Sequence, residues 1–268
     1  MNKKVVNYFI GVDYLKYHFN PLIRFFGPLY QESLLKKVVK LVDLALVTNK
    51  YEKSLLERMY KKKIFILPHG VDEIYIRTPN LAQFFREKYK LSPNFRIVAY
   101  IGRIHKTKGL DIFIKKSFKK IVEEIPEVKL ILAGKVDKRY LKKCLNIANR
   151  LNILDKIEYL GFISEEDKIA LIDAADVIVS PTRHAGESYP LIMDEVRARG
   201  KKLFILPVNP AIASYEFVVP VRNLEELTVK IIEVLKSNKS NKIENKSQNY
   251  PFLWNEIALE LIKIYKSL

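Results

Sequence analysis

One cysteine in 268 residues rules out an internal disulfide, the usual staple of secreted domains. That thiol, Cys144, sits in the apolar spacing Leu141, Cys144, Leu145, Ala148, where a buried structural role is expected. No charged start runs into an unbroken apolar stretch and a small-residue cleavage site, so no secretory leader is read. No apolar run approaches the ~20 residues needed to cross a bilayer. The expected location is cytoplasmic, with a position at the membrane surface left open. Glycine is scarce, nine residues in all, so most of them should have a specific backbone task. His18, His69, His105 and His184 have no regular ligand spacing, and no Asp-x-Asp pair can hold a cation against a diphosphate. No metal and no resident cofactor is expected, and no serine or cysteine nucleophile has a local signature.

Positive charge and apolar residues are abundant instead. Lys and Arg number 47 against 30 Asp and Glu, a formal net charge of +17. Such a field favours anionic partners: phosphorylated ligands, acidic lipid or nucleic acid. A Lys/Glu-rich solubilising surface is the competing explanation. No nucleic-acid motif accompanies the charge, the run Lys61-Lys62-Lys63 included, so nucleic acid is not the expected partner. The apolar share of 49% supports a packed core rather than disorder. Tyr8 to Val47 is both aromatic and basic, with Tyr14, Tyr17, Phe19, Arg24, Phe25, Phe26, Tyr30, Lys36 and Lys37. Packed helix and loop is the first reading of it, and a segment lying on a membrane surface the second.

From residue 96 onward, strand-like and helix-like segments alternate. Arg96 to Ile101, Lys129 to Gly134, Ile157 to Ile163, Val177 to Ser180 and Leu203 to Val208 read as strands. Between them, Leu110 to Ile125 carries an apolar stripe at helical spacing and ends at Pro126, and Tyr140 to Leu151 is a second amphipathic helix. Ser164 should cap a third helix, with Asp167 completing a capping box. Pro190 to Arg199 is a fourth, closed by Gly200. This alternation predicts an α/β fold, a doubly wound parallel sheet with ligands at the carboxyl ends of its strands. Earlier, Leu44 to Thr48 and Ile64 to Leu67 read as strands around a helix at Lys50 to Tyr60, too little for a complete second sheet. Residues 237–249 read as a linker, and Leu253, Ile257, Leu261 and Tyr265 as a last amphipathic helix.

Three places carry chemistry. Gly102 and Arg103, with Lys108 and Gly109, follow the first main strand, where a close backbone approach, a helix start and two cations suit a phosphate. Pro181 to Glu195 holds two carboxylates, Glu187 in a loop and Glu195 on the following helix, that suit sugar hydroxyls. The plain alternatives are a helix-start carboxylate for Glu187 and a surface ion pair to Arg199 for Glu195. Gly161, Phe162 and Ile163 end the third strand, where an aromatic and exposed backbone groups suit a nucleobase, or form a plain strand end.

In this order and spacing the three places resemble retaining glycosyltransferase family 4, of the two-Rossmann-domain GT-B type. The resemblance covers roughly residues 40–268 and rests on Gly102-Arg103 to Lys108-Gly109, on Glu187 and Glu195 with seven residues between them, on Ile157 to Ser164, and on Pro68-His69-Gly70-Val71-Asp72. It implies a shortened acceptor-side segment over 1–75, a nucleotide-sugar domain over 76–240, and a terminal helix over 250–268 packing back across the cleft. It also implies a UDP- or GDP-sugar donor and metal-independent transfer with retention. Arg103 and Lys108 would bind the diphosphate and Glu187 the donor sugar. Glu195 would take the ribose, Phe162 and Ile163 the base, and Gly102, Gly186, Ser188, Tyr189 and Leu191 the rest of the donor site. Pro190 stands where the family usually has glycine, which removes one amide donor. The acceptor, whether glycan, lipid-linked or protein, is unassigned, and peripheral membrane contact, a homo-oligomer and a partner subunit supplying the acceptor half all remain open.

Overall fold

The structure, a computed structural model, describes residues 3–18, 20–183, 189–206, 212, 217–237 and 253–268. Two parallel sheets organise it. The small one holds β1 (Val6–Phe9), β2 (Leu44–Val47) and β3 (Ile64–Ile66) in the order β1-β2-β3. The large one holds β4 (Arg96–Ile101), β5 (Val128–Ala133), β6 (Ile157–Tyr159), β7 (Val177–Ser180), β8 (Leu203–Ile205) and β9 (Val218–Pro220). Its order is β6-β5-β4-β7-β8-β9, with every pairing parallel. The chain winds outward from β4 through β5 to β6, then returns to the other side of β4 with β7. Between β4 and β7 the flanking connections diverge, which opens a crevice at the carboxyl ends of the strands.

Burial on both faces explains why these strands read as apolar runs rather than alternating patterns. Val98, Tyr100, Leu130, Leu132, Val177 and Val179 pack with Phe113, Phe118, Cys144, Leu227 and Ile231 from the helices on one face. Ile97, Ala99, Ile131, Ala133, Ile178 and Leu203 pack with Phe85, Ile169, Ile172, Met193 and Val196 on the other. Cys144 is fully buried there, and burial pushes its thiol up to about 12, an inert structural thiol.

Several elements differ from the sequence reading for local reasons. The helix expected over 110–125 runs from Leu110 to Glu124 with a π-helical middle, Ile114–Phe118. The next begins at Lys138 rather than Tyr140, because Asp137 accepts from the amides of Arg139 and Tyr140. The third strand stops at Tyr159, since Gly161 takes a left-handed φ of 82°. Ser164 does cap the helix Glu165–Ala174, but the Asp167 carboxylate pairs with Lys88 at 2.6 Å instead of closing the box. The fourth helix is Ile192–Ala198 and the fifth strand ends at Ile205. Strands β1 and β9 and the helix Leu224–Lys236 were not read from sequence, and the aromatic, basic segment read as packed helix and loop contains the helix Pro21–Leu41.

The small sheet is a middle layer. Phe9, Ala45, Val47 and Ile64 face the helices Pro21–Leu41 and Lys50–Leu56 through Val39, Leu35 and Leu56. Leu44, Leu46 and Tyr8 face the opposite way and are covered by Ile257, Leu261 and Ile264 of the final helix, Trp254–Lys266. Leu253, just before that helix, bridges to Val71 where the chain passes between the sheets.

Candidate functional site

The carboxyl ends of β4, β5 and β6 build a cleft of about 220 Å³. The ladder continues one step past the strands, with the Gly102 amide donating to Ala133 at 2.9 Å and the Gly134 amide to Gly161 at 2.8 Å. Gly134, at φ 131°, lies so close to Gly102 that a Cβ would collide with the Gly102 carbonyl. Tyrosine hydroxyls hold both turns: Tyr100 donates to the Arg103 carbonyl at 2.7 Å and Tyr159 to the Gly134 carbonyl at 3.0 Å. Arg103 and Lys135 thereby occupy equivalent positions after neighbouring strands, and both line the cleft. Phe162 lines it too, 75% exposed, with the Lys135 ammonium 5.7 Å from its ring centre. Ile163, Glu165 and Lys168 complete the wall. Gly102, Arg103, Phe162 and Ile163 are thus brought together as the sequence suggested.

Lys168 connects this wall to Glu195. It bridges Glu165 at 2.9 Å and Glu195 at 2.8 Å, with only 16% and 19% of the Lys168 and Glu195 side chains exposed. Tyr75 donates its hydroxyl to Glu165. Burial raises the Glu195 pKa against the pull of Lys168. Burial also acts on Glu165, but its hydrogen bonds from Tyr75 and Lys168 win and its pKa is lowered. Arg199, the alternative partner for Glu195, turns away. It forks onto Asp173 at 2.7 and 2.9 Å and donates to the carbonyls of Tyr75 and Thr78. A buried carboxylate in reach of a planar fork outcompetes a pair on the same helix.

The loop after β7 is clamped to the turn after β4. The Arg183 amide donates to the Thr107 carbonyl at 2.9 Å, and its guanidinium pairs with buried Asp111. Asp111 also accepts from Lys143 and Tyr140, both at 2.7 Å. Burial works against the charge there, yet these hydrogen bonds and the Arg183 charge hold the Asp111 pKa below the usual carboxylate range. Gly109, at φ 74°, sits beneath Pro181, whose carbonyl a Cβ would strike. Lys108 ends the 3₁₀ turn Lys106–Lys108 beside this clamp and is not among the residues lining the cleft. Gly186, Glu187 and Ser188 lie outside the described residues.

Tyr189 resumes the described chain on the side facing the small sheet. Its ring centre lies 5.3 Å from that of His69, which in turn contacts the rings of Trp254 at 6.1 Å and Tyr8 at 6.0 Å. Burial lowers the His69 pKa, so it is neutral at neutral pH. The Tyr189 hydroxyl donates to Asp194 Oδ1 at 2.7 Å, while Asp194 Oδ2 is buried without a hydrogen-bond partner. Burial pushes the Asp194 pKa up to about 6. Leu191, at the head of the helix, is half exposed and outside the cleft lining.

Sequence reasoning missed Lys135, Glu165 and Lys168. Lys135 was readable, since Gly134-Lys135 repeats after β5 the glycine-then-base order of Gly102-Arg103 after β4. The link from Lys168 to Glu195 carries no local signal, because the two are 27 positions apart.

A doubly wound sheet with a basic, aromatic cleft at the carboxyl ends of its strands, joined to a second small parallel sheet, has the architecture of a GT-B glycosyltransferase. The chain belongs to the family described as "Glycosyl transferases group 1", whose model matches residues 82–250. The D-inositol 3-phosphate glycosyltransferase of Mycolicibacterium smegmatis is 27% identical over 171 residues, covering 62% of this chain and 38% of that protein. The protein of the same name from Mycobacteroides abscessus is 26% identical over 211 residues, covering 75% of this chain and 46% of that one. The match therefore spans less than half the length of these curated relatives. Among solved structures, the sucrose-phosphate synthase of Thermosynechococcus elongatus superposes with a TM-score of 0.77 at 19% identity, over 100% of this chain and 68% of that one. HepE of Anabaena in complex with UDP-glucose gives 0.74 at 19% identity, over 99% and 73%.

Proposed function

We propose that this chain binds a uridine- or guanosine-diphosphate sugar at the large sheet and transfers the sugar to an acceptor with retained configuration. The observation that carries the proposal is the convergence of Arg103, Lys135, Phe162 and the Lys168–Glu195 pair on one sheet end. Phe162 offers a ring face to the base, beside Ile163 and Gly102. Glu195, held by Lys168, accepts the ribose hydroxyls. Arg103, with Lys108 on the adjoining turn, takes the diphosphate and stabilises the charge that grows on the departing nucleotide, an electrostatic form of catalysis. We assign Glu187 to hydroxyls of the donor sugar and the amides near Ser188, Tyr189 and Leu191 to the β-phosphate, with Pro190 contributing none and Gly186 assigned to the rest of the donor. In this reading cationic side chains, rather than a metal ion, neutralise the pyrophosphate. The HepE complex with UDP-glucose supports a uridine donor.

The test is a donor screen. Uridine or guanosine diphosphate is expected to raise the unfolding temperature equally with and without a chelator, and Glu187→Ala is expected to abolish transfer. Normal turnover in Glu187→Ala rejects the site, and stabilisation that needs added metal rejects metal independence.

A second reading is favoured by the three-stranded small sheet. In it the chain is a nucleotide-sugar-binding subunit whose acceptor half lies on a partner chain. Nucleotide binding without transfer to any acceptor, converted to transfer by adding that chain, selects this reading.

A further inference from the structure

The helix Pro21–Leu41 packs on one side only. Val39 is buried, and Leu35 and Val38 pack with it against the small sheet. On the other side Leu22, Phe25, Phe26, Leu29 and Tyr30 are exposed over 69%, 74%, 61%, 70% and 68% of their surface. At about 100° per residue these five share one outward stripe, and the same stripe continues as Ser33, Lys36, Lys37 and Lys40, all exposed. The outward face is therefore apolar and aromatic along its first half and cationic along its last turns. The helix has a single acid, Glu32, already paired to Lys36 at 2.6 Å. A row of five large apolar side chains in solvent exceeds the scattered exposure normal for a surface.

We propose that this face docks the protein on the surface of an anionic phospholipid membrane. The rings and leucines enter the boundary between headgroups and acyl chains, while the lysines stay level with the phosphates. Charge selects this occupant: the lysine end has no use against a neutral apolar partner, whereas each lysine gains from an acidic leaflet. The helix lies in the plane of the surface, and no helix among the described residues is long and apolar enough to cross the bilayer. Docking does not depend on the transferase reading. Taken with that reading, it makes a lipid-carried acceptor the fitting substrate class, because the small sheet that bears this helix also bears His69, which touches Tyr189 at the large sheet.

Sedimentation of the full chain with vesicles tests this. The protein is expected to pellet with phosphatidylcholine vesicles containing phosphatidylglycerol, less as salt rises, and weakly with phosphatidylcholine alone. Phe25→Ser with Phe26→Ser should lower binding about tenfold. Lys36→Gln, Lys37→Gln and Lys40→Gln together should erase the preference for anionic vesicles. Thermal stabilisation by uridine diphosphate, read on the same variants, reports the fold and the nucleotide site separately, so vesicle binding without nucleotide binding rejects the transferase reading alone. Wild-type protein that stays in solution with both vesicle types, or the aromatic variant pelleting like wild type, overturns the docking proposal. So does a stable dimer that the aromatic variant dissociates, which assigns the face to a second copy of the chain.

Discussion

The two sheets of this molecule treat apolar residues differently. In the large sheet, strands such as Arg96–Ile101 and Val128–Ala133 are closed in on both faces, and the open place is the row of strand ends where Gly102, Gly134 and Gly161 turn the chain. In the small sheet only the middle strand is buried throughout, and the helix above it turns Leu22, Phe25, Phe26, Leu29 and Tyr30 outward. One half is thus finished inside and active at its edge, while the other keeps apolar surface for something outside itself. Charge follows the same division: Arg103, Lys135 and Lys168 converge on a cleft, whereas Lys36, Lys37 and Lys40 line an open face.

The strongest way to break this comparison is to disable each half in turn. Arg103→Ala is expected to lower transfer by a factor of roughly 100 or more, the scale of a lost transition-state donor. The aromatic variant of the outward helix should leave transfer to a water-soluble acceptor unchanged; a steady-state assay that reverses this order ends the comparison. Next comes backbone geometry. Gly134→Ala places a Cβ against the Gly102 carbonyl at φ 131° and should cost about 2–4 kcal/mol, whereas Gly161→Ala, at φ 82° with nothing within 4 Å, should cost only about 1 kcal/mol. Chemical denaturation of both variants gives the difference, and equal losses mean that the close approach of β4 and β5 is not what needs the glycine.

Lys168→Met leaves Glu165 and Glu195 without their shared cation. Because about a fifth of the Glu195 side chain is exposed, the loss is discounted to about 1–2 kcal/mol, read as a roughly tenfold weaker grip on uridine diphosphate by calorimetry. Lys168→Arg should restore most of it, and an unaltered affinity in the methionine variant dissociates Glu195 from the nucleotide. The last effect, confined to part of the pH range, is a pH dependence. Asp194, with a folded pKa near 6 against an unfolded value of about 3.9, binds more proton when folded, so its contribution is full below about pH 4 and is lost as pH rises through 6. Asp194→Asn should therefore be more stable than the parent at pH 8, by on the order of 1–3 kcal/mol, and equal to it near pH 4. Asp111 runs the other way: its lowered pKa contributes stability above the ordinary carboxylate range that is lost on acidification. Thermal unfolding across this range separates the two.

Much of the large sheet was legible because strands buried on both faces are short apolar runs cut off by glycine, as at Gly102 and Gly134. The helix Pro21–Leu41 was harder to read for a physical reason: apolar residues occupy its outward side as well as its inward one, and Gly27 and Pro28 interrupt it, so the period of 3.6 is blurred. The edge strand Val218–Pro220 is three residues long and ends in proline, a pattern that reads as a turn. At the cleft, Gly102, Arg103 and Phe162 announced themselves by following strands. Glu195 was visible, but its cation was not: spacing pointed to Arg199 four positions away, and only the fold brings Lys168 across from another helix.

The final helix has a consequence for how the protein is made. Leu44, Leu46 and Tyr8 are synthesised well before Ile257 and Ile264, and stay open to water until those residues arrive to cover them. Domains generally complete themselves from the amino end as the chain emerges. Here an earlier segment must wait for a later one, so a ribosome stalled before Trp254 would hold a small sheet with one bare wall, a ready target for chaperones and proteases.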